Sequence, residues 1–221
     1  MPLTLNEVSH RYGPGLPWVA RRVSLEIADG ETVALMGPSG SGKTTLLSIL
    51  GLLTRPTEGH VLVDGRPTVG DRAAVALRAS LFSWVFQTAN ALPRRSALDN
   101  AALPLLVRGV DRPTASRIAA AELRRLGVSH LAARPARLLS GGELQRVCIG
   151  RALAAAPRWI LADEPTGQLD HRSTAAAADA LFLGRPIGTG VIVATHDPDL
   201  AARCERVFRL SDGCLTGEAR P

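Results

Sequence analysis

Lysine is almost absent from this chain of 221 residues: its 26 basic side chains comprise 25 arginines and one lysine, Lys43. A bias this strong indicates a genome whose base composition favours arginine codons. The formal net charge of +6 therefore says little by itself about partners. We expect the one remaining lysine where a compact ammonium is needed and the planar fork of arginine does not fit.

Cysteine and long apolar runs are also scarce. The three cysteines, Cys148, Cys204 and Cys214, form no CxxC pair, which argues against a disulfide framework and against a zinc site. No apolar run approaches the length of about eighteen residues that crosses a bilayer. Residues 1–7 lack the basic and apolar regions of a signal peptide. We therefore expect a cytoplasmic protein that reaches a membrane only through a partner.

Hydrophobic residues make up 46% of the chain, enough to bury the core of one large α/β domain. Alternating patterns at 3–8 and 23–27 predict an antiparallel layer, and continuous apolar runs such as 32–36 predict buried parallel strands between helices. Further strands are predicted at 60–63, 81–86, 159–162, 190–194 and 207–210.

Residues 87–157 differ from the rest, because helical patterns dominate there. Helices are predicted at 97–107, 114–126 and 141–155, with a helix-start proline at Pro113 and an N-cap at Ser140. We therefore predict an α/β core with a mainly parallel sheet, formed by residues 1–86 and 158–221. A helical subdomain of residues 87–157 is inserted into it.

Residues 37–44 read G-P-S-G-S-G-K-T and match the phosphate-loop pattern G-x-x-x-x-G-K-[ST] between a predicted strand and the predicted helix 44–53. Glycines allow successive backbone N–H groups to turn around phosphate oxygens, and the helix N-terminus adds its positive dipole end. Lys43 would reach the β and γ phosphates, and the Thr44 hydroxyl would ligate Mg²⁺. The predicted nucleotide-binding residues here are Gly37, Pro38, Ser39, Gly40, Ser41, Gly42, Lys43, Thr44 and Thr45.

A second apolar strand, at 159–162, is followed by the adjacent carboxylates Asp163 and Glu164. Taken alone, such a pair also fits a solvated turn. Beside a phosphate loop, the pair suits a metal ligand and a general base. We therefore predict that Asp163 orients Mg²⁺, directly or through water, and that Glu164 polarises the attacking water.

Residues 139–146 read L-S-G-G-E-L-Q-R, a serine N-cap and two glycines that open a helix. With the preceding motifs, this segment resembles the signature motif of ATP-binding-cassette ATPases, and the resemblance covers the whole chain. In that family's terms, 37–45 resembles Walker A, 159–164 Walker B and 167–170 the D-loop. Gln87 resembles the glutamine of the Q-loop, His196 the switch histidine, and Tyr12 the aromatic residue that stacks on adenine.

The resemblance implies an ATPase that forms a head-to-tail dimer with two ATP molecules between its subunits. Each ATP would be held by the phosphate loop of one subunit and by the signature motif of the other. The implied catalytic residues are Lys43, Glu164 and His196, and the implied Mg²⁺ ligands are Thr44, Gln87 and Asp163. Outside the phosphate loop, the implied nucleotide-binding residues are Tyr12, Gln87, Ser140, Gly141, Gly142 and Asp170.

Residues 161–170, L-A-D-E-P-T-G-Q-L-D, are similar to the branch that contains lipoprotein-releasing ATPases and macrolide or antimicrobial-peptide exporters. Gln168 departs from the usual asparagine of that branch, and Gly150 departs from its usual alanine. The branch implies a separate transmembrane permease and a location on the cytoplasmic face of the cell membrane. The permease would dock after Gln87, around 91–93 and 103–105, although apolar residues there also fit core packing.

Two alternative functions are weaker. The basic charge would permit a cassette ATPase that acts on nucleic acid or the ribosome. Such proteins generally carry two cassettes in one chain or a long coiled-coil insertion, and this sequence has neither. A nucleotide kinase would not explain residues 139–146. We therefore expect no nucleic-acid partner.

His196 differs from the other histidines because it follows an apolar strand at its carboxyl end, where open α/β sheets place ligand groups. The remaining histidines lie outside any motif and are expected to be solvated: His10, His60, His130 and His171.

Overall fold

The computed structural model describes the backbone of residues 2–219, and all of their side chains except those of residues 171, 172, 218 and 219. Within this range the strands are β1 (Leu3–His10), β2 (Ala20–Ile27), β3 (Thr32–Met36), β4 (Glu58–Val63), β5 (Arg66–Pro67), β6 (Phe82–Val85), β7 (Trp159–Asp163), β8 (Gly190–Thr195), β9 (Arg206–Ser211) and β10 (Cys214–Ala219). The helices are α1 (Lys43–Leu50), α2 (Asp71–Leu81), α3 (Ala97–Val107), α4 (Arg112–Arg125), α5 (Gly141–Ala154), α6 (His171–Phe182) and α7 (Pro198–Ala201).

These strands form two sheets. The first is antiparallel, with the order β2-β1-β4-β5, and the second has the order β10-β9-β3-β8-β7-β6. In the second sheet all neighbours are parallel except the edge pair of β9 and β10. The predicted combination of an antiparallel N-terminal layer with a mainly parallel sheet is therefore confirmed.

Burial explains why the two sheets differ in sequence. In β2 the apolar side chains Val23, Leu25 and Ile27 are buried and alternate with exposed ones, because only one face of this sheet meets the core. Strands β7 and β8 are buried along their whole length, as their continuous apolar runs predict. One face of the parallel sheet packs against α1 and the antiparallel sheet, and the other packs against α3 to α6.

Helices α3, α4 and α5 follow β6 in the chain and pack against one another before the chain returns in β7. Side chains cap the start of each helix: Ser96 accepts from the N–H of Asp99, Asp111 from that of Thr114, and Ser140 from that of Glu143. The predictions of a proline at the start of α4 and of an N-cap at Ser140 are confirmed.

Helices α2 and α7 and strands β5 and β10 are among the elements that lie outside the predicted set. Helix α2 has no buried residue, although its partly buried Ala74, Leu77 and Leu81 pack against the core, and β10 is an edge strand. The predicted strand at 81–86 begins one residue later because Leu81 ends α2. Within residues 2–219, no helix combines the length and the apolar character that crossing a membrane requires.

Candidate nucleotide site

The carboxyl ends of four parallel strands meet at one edge of the second sheet. Strand β3 leads into the phosphate loop, and its neighbour β8 leads into His196. Strand β7 ends at Asp163, with Glu164 next, and β6 ends two residues before Gln87. Parallel sheets place ligand-binding groups at this edge. The topology therefore brings together residues that are more than a hundred positions apart in the chain.

Two glycines of the phosphate loop occupy positions that no other residue fits. Gly42, the N-cap of α1, has a φ of 100°, and a Cβ there would lie 2.7 Å from the carbonyl oxygen of Val19. A Cβ at Gly37 would lie 2.4 Å from the carbonyl oxygen of Leu210. The loop is thus packed tightly between the turn before β2 and the end of β9, which fixes the start of α1.

Lys43 lies inside this loop and is only 8% exposed. Its Nζ donates to the carbonyl oxygens of Gly37 at 2.8 Å and Pro38 at 3.1 Å. No side chain in residues 2–219 caps α1, and the buried Oγ of Ser41 has no hydrogen-bond partner among the described residues. A free helix N-terminus, an enclosed ammonium and an unpartnered hydroxyl are the groups that a phosphate would satisfy.

Thr44 and Asp163 form the contact between the phosphate loop and β7. The Thr44 hydroxyl donates to Oδ1 of Asp163 at 3.1 Å. Burial raises the pKa of Asp163 and the charge of Glu164 acts in the same direction, whereas the Thr44 hydrogen bond and Lys43 act in the opposite direction. A buried carboxylate beside a hydroxyl suits a hard divalent cation, because that cation favours the charged form.

Glu164 has a left-handed backbone with a φ of 43°, an unfavourable conformation for a residue with a side chain. This turn directs its carboxylate toward β8. Oε1 lies 2.8 Å from Nδ1 of His196, and Oε2 accepts from the Thr195 hydroxyl at 3.1 Å. The Glu164 side chain is 13% exposed and that of His196 is 70% exposed. The carboxylate is therefore held on two sides beside an accessible imidazole.

The register of β7 and β8 produces this contact. Asp163 pairs with Ala194, so Glu164 comes next to Thr195 and His196, and its N–H donates to the carbonyl of Ala194 at 2.9 Å. Thr195 was not predicted as a site residue. A hydroxyl residue just before a candidate histidine at a strand end is the signal that identifies it.

Tyr12 lies beside the phosphate loop, where its hydroxyl and the Thr45 hydroxyl are 2.8 Å apart. Its side chain is 67% exposed, and its ring meets the ring of His10 edge-on at 5.0 Å. The prediction that His10 is solvated is wrong: it is 7% exposed, because it lies at the end of β1 under Tyr12. His60 and His130 are exposed as predicted, and the side chain of His171 lies outside the described residues.

The signature motif begins α5 with a capping box. Oε2 of Glu143 accepts from the N–H of Ser140 at 2.7 Å, and Oγ of Ser140 accepts from the N–H of Glu143 at 3.3 Å. Ser140 and Gly141 are exposed. A methyl group at Gly141 would lie 3.3 Å from Oε1 of Gln168, so the signature motif abuts the predicted D-loop of its own chain.

The remaining predicted residues are Gln87 and Asp170. Gln87 is exposed beyond the end of β6. Asp170 caps α6, accepting from the N–H of Ser173 at 2.9 Å and from its hydroxyl at 2.7 Å. Among the described residues, no hydrogen bond joins Ser140, Gly141 or Gly142 to the phosphate loop.

The departure at Gly150 has a packing reason. A methyl group there would lie 3.2 Å from Cδ1 of Leu126 and 3.5 Å from Cδ2 of Leu123, both buried between α4 and α5. The first distance is tighter than ordinary van der Waals contact, so alanine would push α4 away from α5 by a few tenths of an ångström. Glycine lets the two helices approach.

Comparison with known proteins agrees with this geometry. Residues 20–167 match the family model of the ABC transporter, and the chain belongs to that family. It is an ATP-binding and ATP-hydrolysing subunit of that class, as the sequence predicts. The predictions of the family, of the fold class and of ATPase activity are confirmed.

Particular relatives cover nearly the whole chain. It is 46% identical to the "Lipoprotein-releasing system ATP-binding protein LolD" of Bordetella avium, over 92% of this chain and 90% of that protein. It is 45% identical to the protein of the same name from Ruegeria pomeroyi, over 98% of both. The dimeric structure of the ABC transporter cassette MJ0796 superposes with a TM-score of 0.92 at 36% identity, over 99% of this chain and 98% of that one. A dimeric post-hydrolysis state of MJ0796, bound to ADP and Pi, has a TM-score of 0.89.

Proposed function

We propose that this ATPase subunit powers the release of lipoproteins from a membrane, together with a separate transmembrane subunit. The proposed substrate class rests on one observation: the chain is 46% and 45% identical to relatives named for lipoprotein release, over more than nine tenths of its length. The subunit would act on the cytoplasmic face of the membrane. Residues 87–157 would form the helical subdomain that receives the permease.

Glu164 is the general base of the proposed reaction. Its two carboxylate oxygens contact Thr195 and His196, which fix its orientation, and each oxygen keeps a lone pair for the attacking water. Lys43 would bind the β and γ phosphates after exchanging the carbonyls of Gly37 and Pro38 for phosphate oxygens. His196 would contact the γ phosphate from the same subunit.

Thr44, Gln87 and Asp163 would hold Mg²⁺. Two of them fit directly, since the Thr44 hydroxyl and the Asp163 carboxylate are 3.1 Å apart and offer the oxygen ligands that Mg²⁺ prefers. Gln87 lies at the same edge of the sheet. When bound, Mg²⁺ neutralises negative charge on the phosphates.

A second copy of the chain would complete the site. The exposed Ser140 and Gly141 and the half-buried Gly142 would contact the γ phosphate held by the opposite subunit, with Asp170 at the same interface. Two weak anion sites that close on one nucleotide give a single tight site, so ATP would hold the dimer together and hydrolysis would release it. The dimeric MJ0796 structures support this arrangement.

Substitution of Glu164 tests the hydrolysis mechanism. Glu164→Gln should retain ATP binding and lower kcat by roughly 10² to 10⁴, the usual size of a general-base effect. Glu205→Gln is the matched control, because the Glu205 carboxylate accepts from the N–H of Thr32 at the opposite end of β3. Its kcat should stay within about twofold of wild type, as expected for a distant surface change. Unchanged turnover in Glu164→Gln would remove Glu164 from the mechanism.

Purification from membranes tests the partner and the substrate class. The chain should be recovered from detergent-solubilised membranes with a multi-span protein, and the reconstituted pair should release a lipoprotein from proteoliposomes only with ATP. Recovery with ribosomes or DNA that resists moderate salt would contradict the proposal and favour the nucleic-acid alternative. ATP-independent release would also contradict it.

A further inference from the structure

Gln145 is a buried polar residue that the function described so far does not use. It lies one turn after Gly141 and Gly142 in α5 and is only 1% exposed. Its side-chain Nε2 donates to the carbonyl oxygen of Phe86 at 3.1 Å and to that of Pro165 at 3.2 Å. Phe86 immediately precedes Gln87, and Pro165 immediately follows Glu164. One amide therefore joins the signature helix to two loops that carry proposed site residues.

The position of these carbonyls explains why a donor is needed. Strands β6 and β7 are parallel neighbours whose ladder ends at the pair Val85 and Ala162. Beyond this pair the two strands continue into loops, and the backbone N–H and C=O groups of the two segments no longer pair with each other. A buried carbonyl without a donor is costly, so the Gln145 amide extends the connection between the strands past the end of the ladder.

The other end of the amide argues against a purely stabilising role. Oε1 of Gln145 is buried and has no hydrogen-bond partner among the described residues. Leaving a buried acceptor unsatisfied destabilises the fold, and a residue chosen for packing alone avoids this cost. Methionine has similar length and no unsatisfied polar atom. We therefore attribute the presence of an amide at this position to the two hydrogen bonds that its Nε2 donates, to the carbonyls of Phe86 and Pro165.

We propose that Gln145 is a positioning residue for ATP hydrolysis, which rests on the proposed role of Glu164. Its amide fixes the backbone on either side of the site, at Phe86 and at Pro165. Gln145, in α5, thereby fixes the distance between the loop after β6, which contains Gln87, and the loop after β7, which contains Glu164. Loss of the amide leaves the phosphate loop intact, since among the described residues no hydrogen bond joins Gln145 to Lys43 or Thr44, but lets the general base move away from its working position.

Steady-state kinetics of Gln145→Met test the proposal. The expected result is a KM for ATP within about twofold of wild type and a kcat lowered by about 10-fold or more, because small displacements of a catalytic group are costly. Thr189→Val is the matched control: the buried Thr189 hydroxyl also joins two segments of the chain, donating to the carbonyl oxygen of Pro157 at 2.7 Å, but before β7 and β8 begin and so at the opposite end of the sheet. Its kcat should stay within about twofold of wild type even where its melting temperature falls.

A second variant keeps the test open if Gln145→Met does not fold. Gln145→Asn retains the amide but withdraws it by about 1.5 Å, the length of one carbon–carbon bond, and so breaks both contacts. It should show the same fall in kcat at unchanged KM. A folded Gln145→Met or Gln145→Asn with wild-type kcat overturns the proposal. So does a loss of kcat and ATP affinity in parallel with melting temperature, as a structural role would give.

The two proposals fail in different ways. If Glu164→Gln loses turnover while Gln145→Met keeps it, only the positioning role is wrong. If Glu164→Gln turns over at the wild-type rate, the proposed general base is wrong, whatever Gln145→Met does.

Discussion

Two glycine-rich turns in this chain each open a helix, and they are built in opposite ways. The turn before α1 is enclosed, has no side-chain cap in residues 2–219 and contains a buried lysine. The turn before α5 is exposed and closes its own N–H groups with the capping box of Ser140 and Glu143. Among the described residues, no side chain accepts from the N–H groups at the start of α1, whereas the start of α5 has a cap of its own.

This difference indicates that the two turns have different roles in nucleotide binding. An enclosed, uncapped helix start is arranged to bind phosphate tightly within one chain. An exposed, capped start offers only a weak anion site, which gains affinity when it closes over a nucleotide already held elsewhere. We infer that α1 supplies affinity for ATP and that α5 supplies dependence of the dimer on ATP.

Lys43→Arg gives the largest expected effect, because it changes the enclosed end. Lys43 is 8% exposed between two carbonyls of its own loop, and a guanidinium fork is too broad for that space. ATP affinity should fall by at least about 100-fold, as measured by equilibrium binding. Lys43→Met is the control that removes the charge as well. Wild-type binding and turnover in Lys43→Arg would show that the shape of the cation does not matter.

A matched pair of alanine substitutions, one in each turn, should lower the free energy of unfolding by different amounts. Gly42→Ala forces a side chain into a φ of 100° and against the carbonyl of Val19, so it should cost about 2–3 kcal/mol of unfolding free energy. Gly141→Ala meets only the flexible Gln168 side chain at 3.3 Å and should cost less than about 1 kcal/mol. Thermal and denaturant unfolding give both values. Equal losses would contradict the proposed difference in packing.

Ser140→Arg tests the exposed end through the dimer. In the Glu164→Gln background, ATP should drive dimerisation of the parent chain, and a guanidinium at position 140 should weaken it by at least about 10-fold through steric exclusion. Light scattering with and without ATP measures the change. Because the Ser140 side chain makes its described hydrogen bond with Glu143 and none with the phosphate loop, monomer ATP affinity should remain unchanged. An ATP-driven dimer that persists in the variant would contradict the head-to-tail arrangement.

Much of the nucleotide site was predictable from local sequence. The phosphate loop lies where a buried strand meets a helix, and Asp163 and Glu164 end another buried strand, so their meeting follows from the rules of parallel sheets. The bounds of β3 and α3 are as predicted, because continuous burial in one and a serine cap in the other mark their ends.

The parts that escaped prediction depend on contacts distant in sequence. Gln145 contacts Phe86, 59 positions away, and nothing in the local pattern around either residue reports that contact. Burial of His10 depends on the ring of Tyr12 folding back over β1. Helix α2 packs only the partly buried Ala74, Leu77 and Leu81 against the core and has no side-chain cap in residues 2–219, so the capping residue that marks the starts of α3, α4 and α5 is missing there.

Glu143→Gln has the smallest expected effect on ATP-driven dimerisation. It tests both roles of the exposed turn, which are to cap α5 and to close over the nucleotide of the opposite subunit. The hydrogen bond from the N–H of Ser140 lowers the pKa of Glu143, so a full negative charge lies in the first turn of α5 at neutral pH. Glutamine keeps the capping acceptor but removes a charge that repels the phosphates of the opposite subunit. The ATP-driven dimer should tighten by about 2–5-fold, the size of a single charge effect at a helix start.

The pH dependence of Glu143→Gln separates capping from charge. Because the folded pKa of Glu143 is lowered, the charged capping box stabilises the wild-type fold above the unfolded pKa of about 4.3. That contribution is lost as pH falls through the folded value, and glutamine does not show this loss. Between about pH 6 and 8 Glu143 stays ionised, so the gain in dimer affinity should be constant there. A variant dimer weaker than the parent at pH 7 would mean that the Glu143 carboxylate assists nucleotide closure, and the exposed turn would then need its charge as well as its cap.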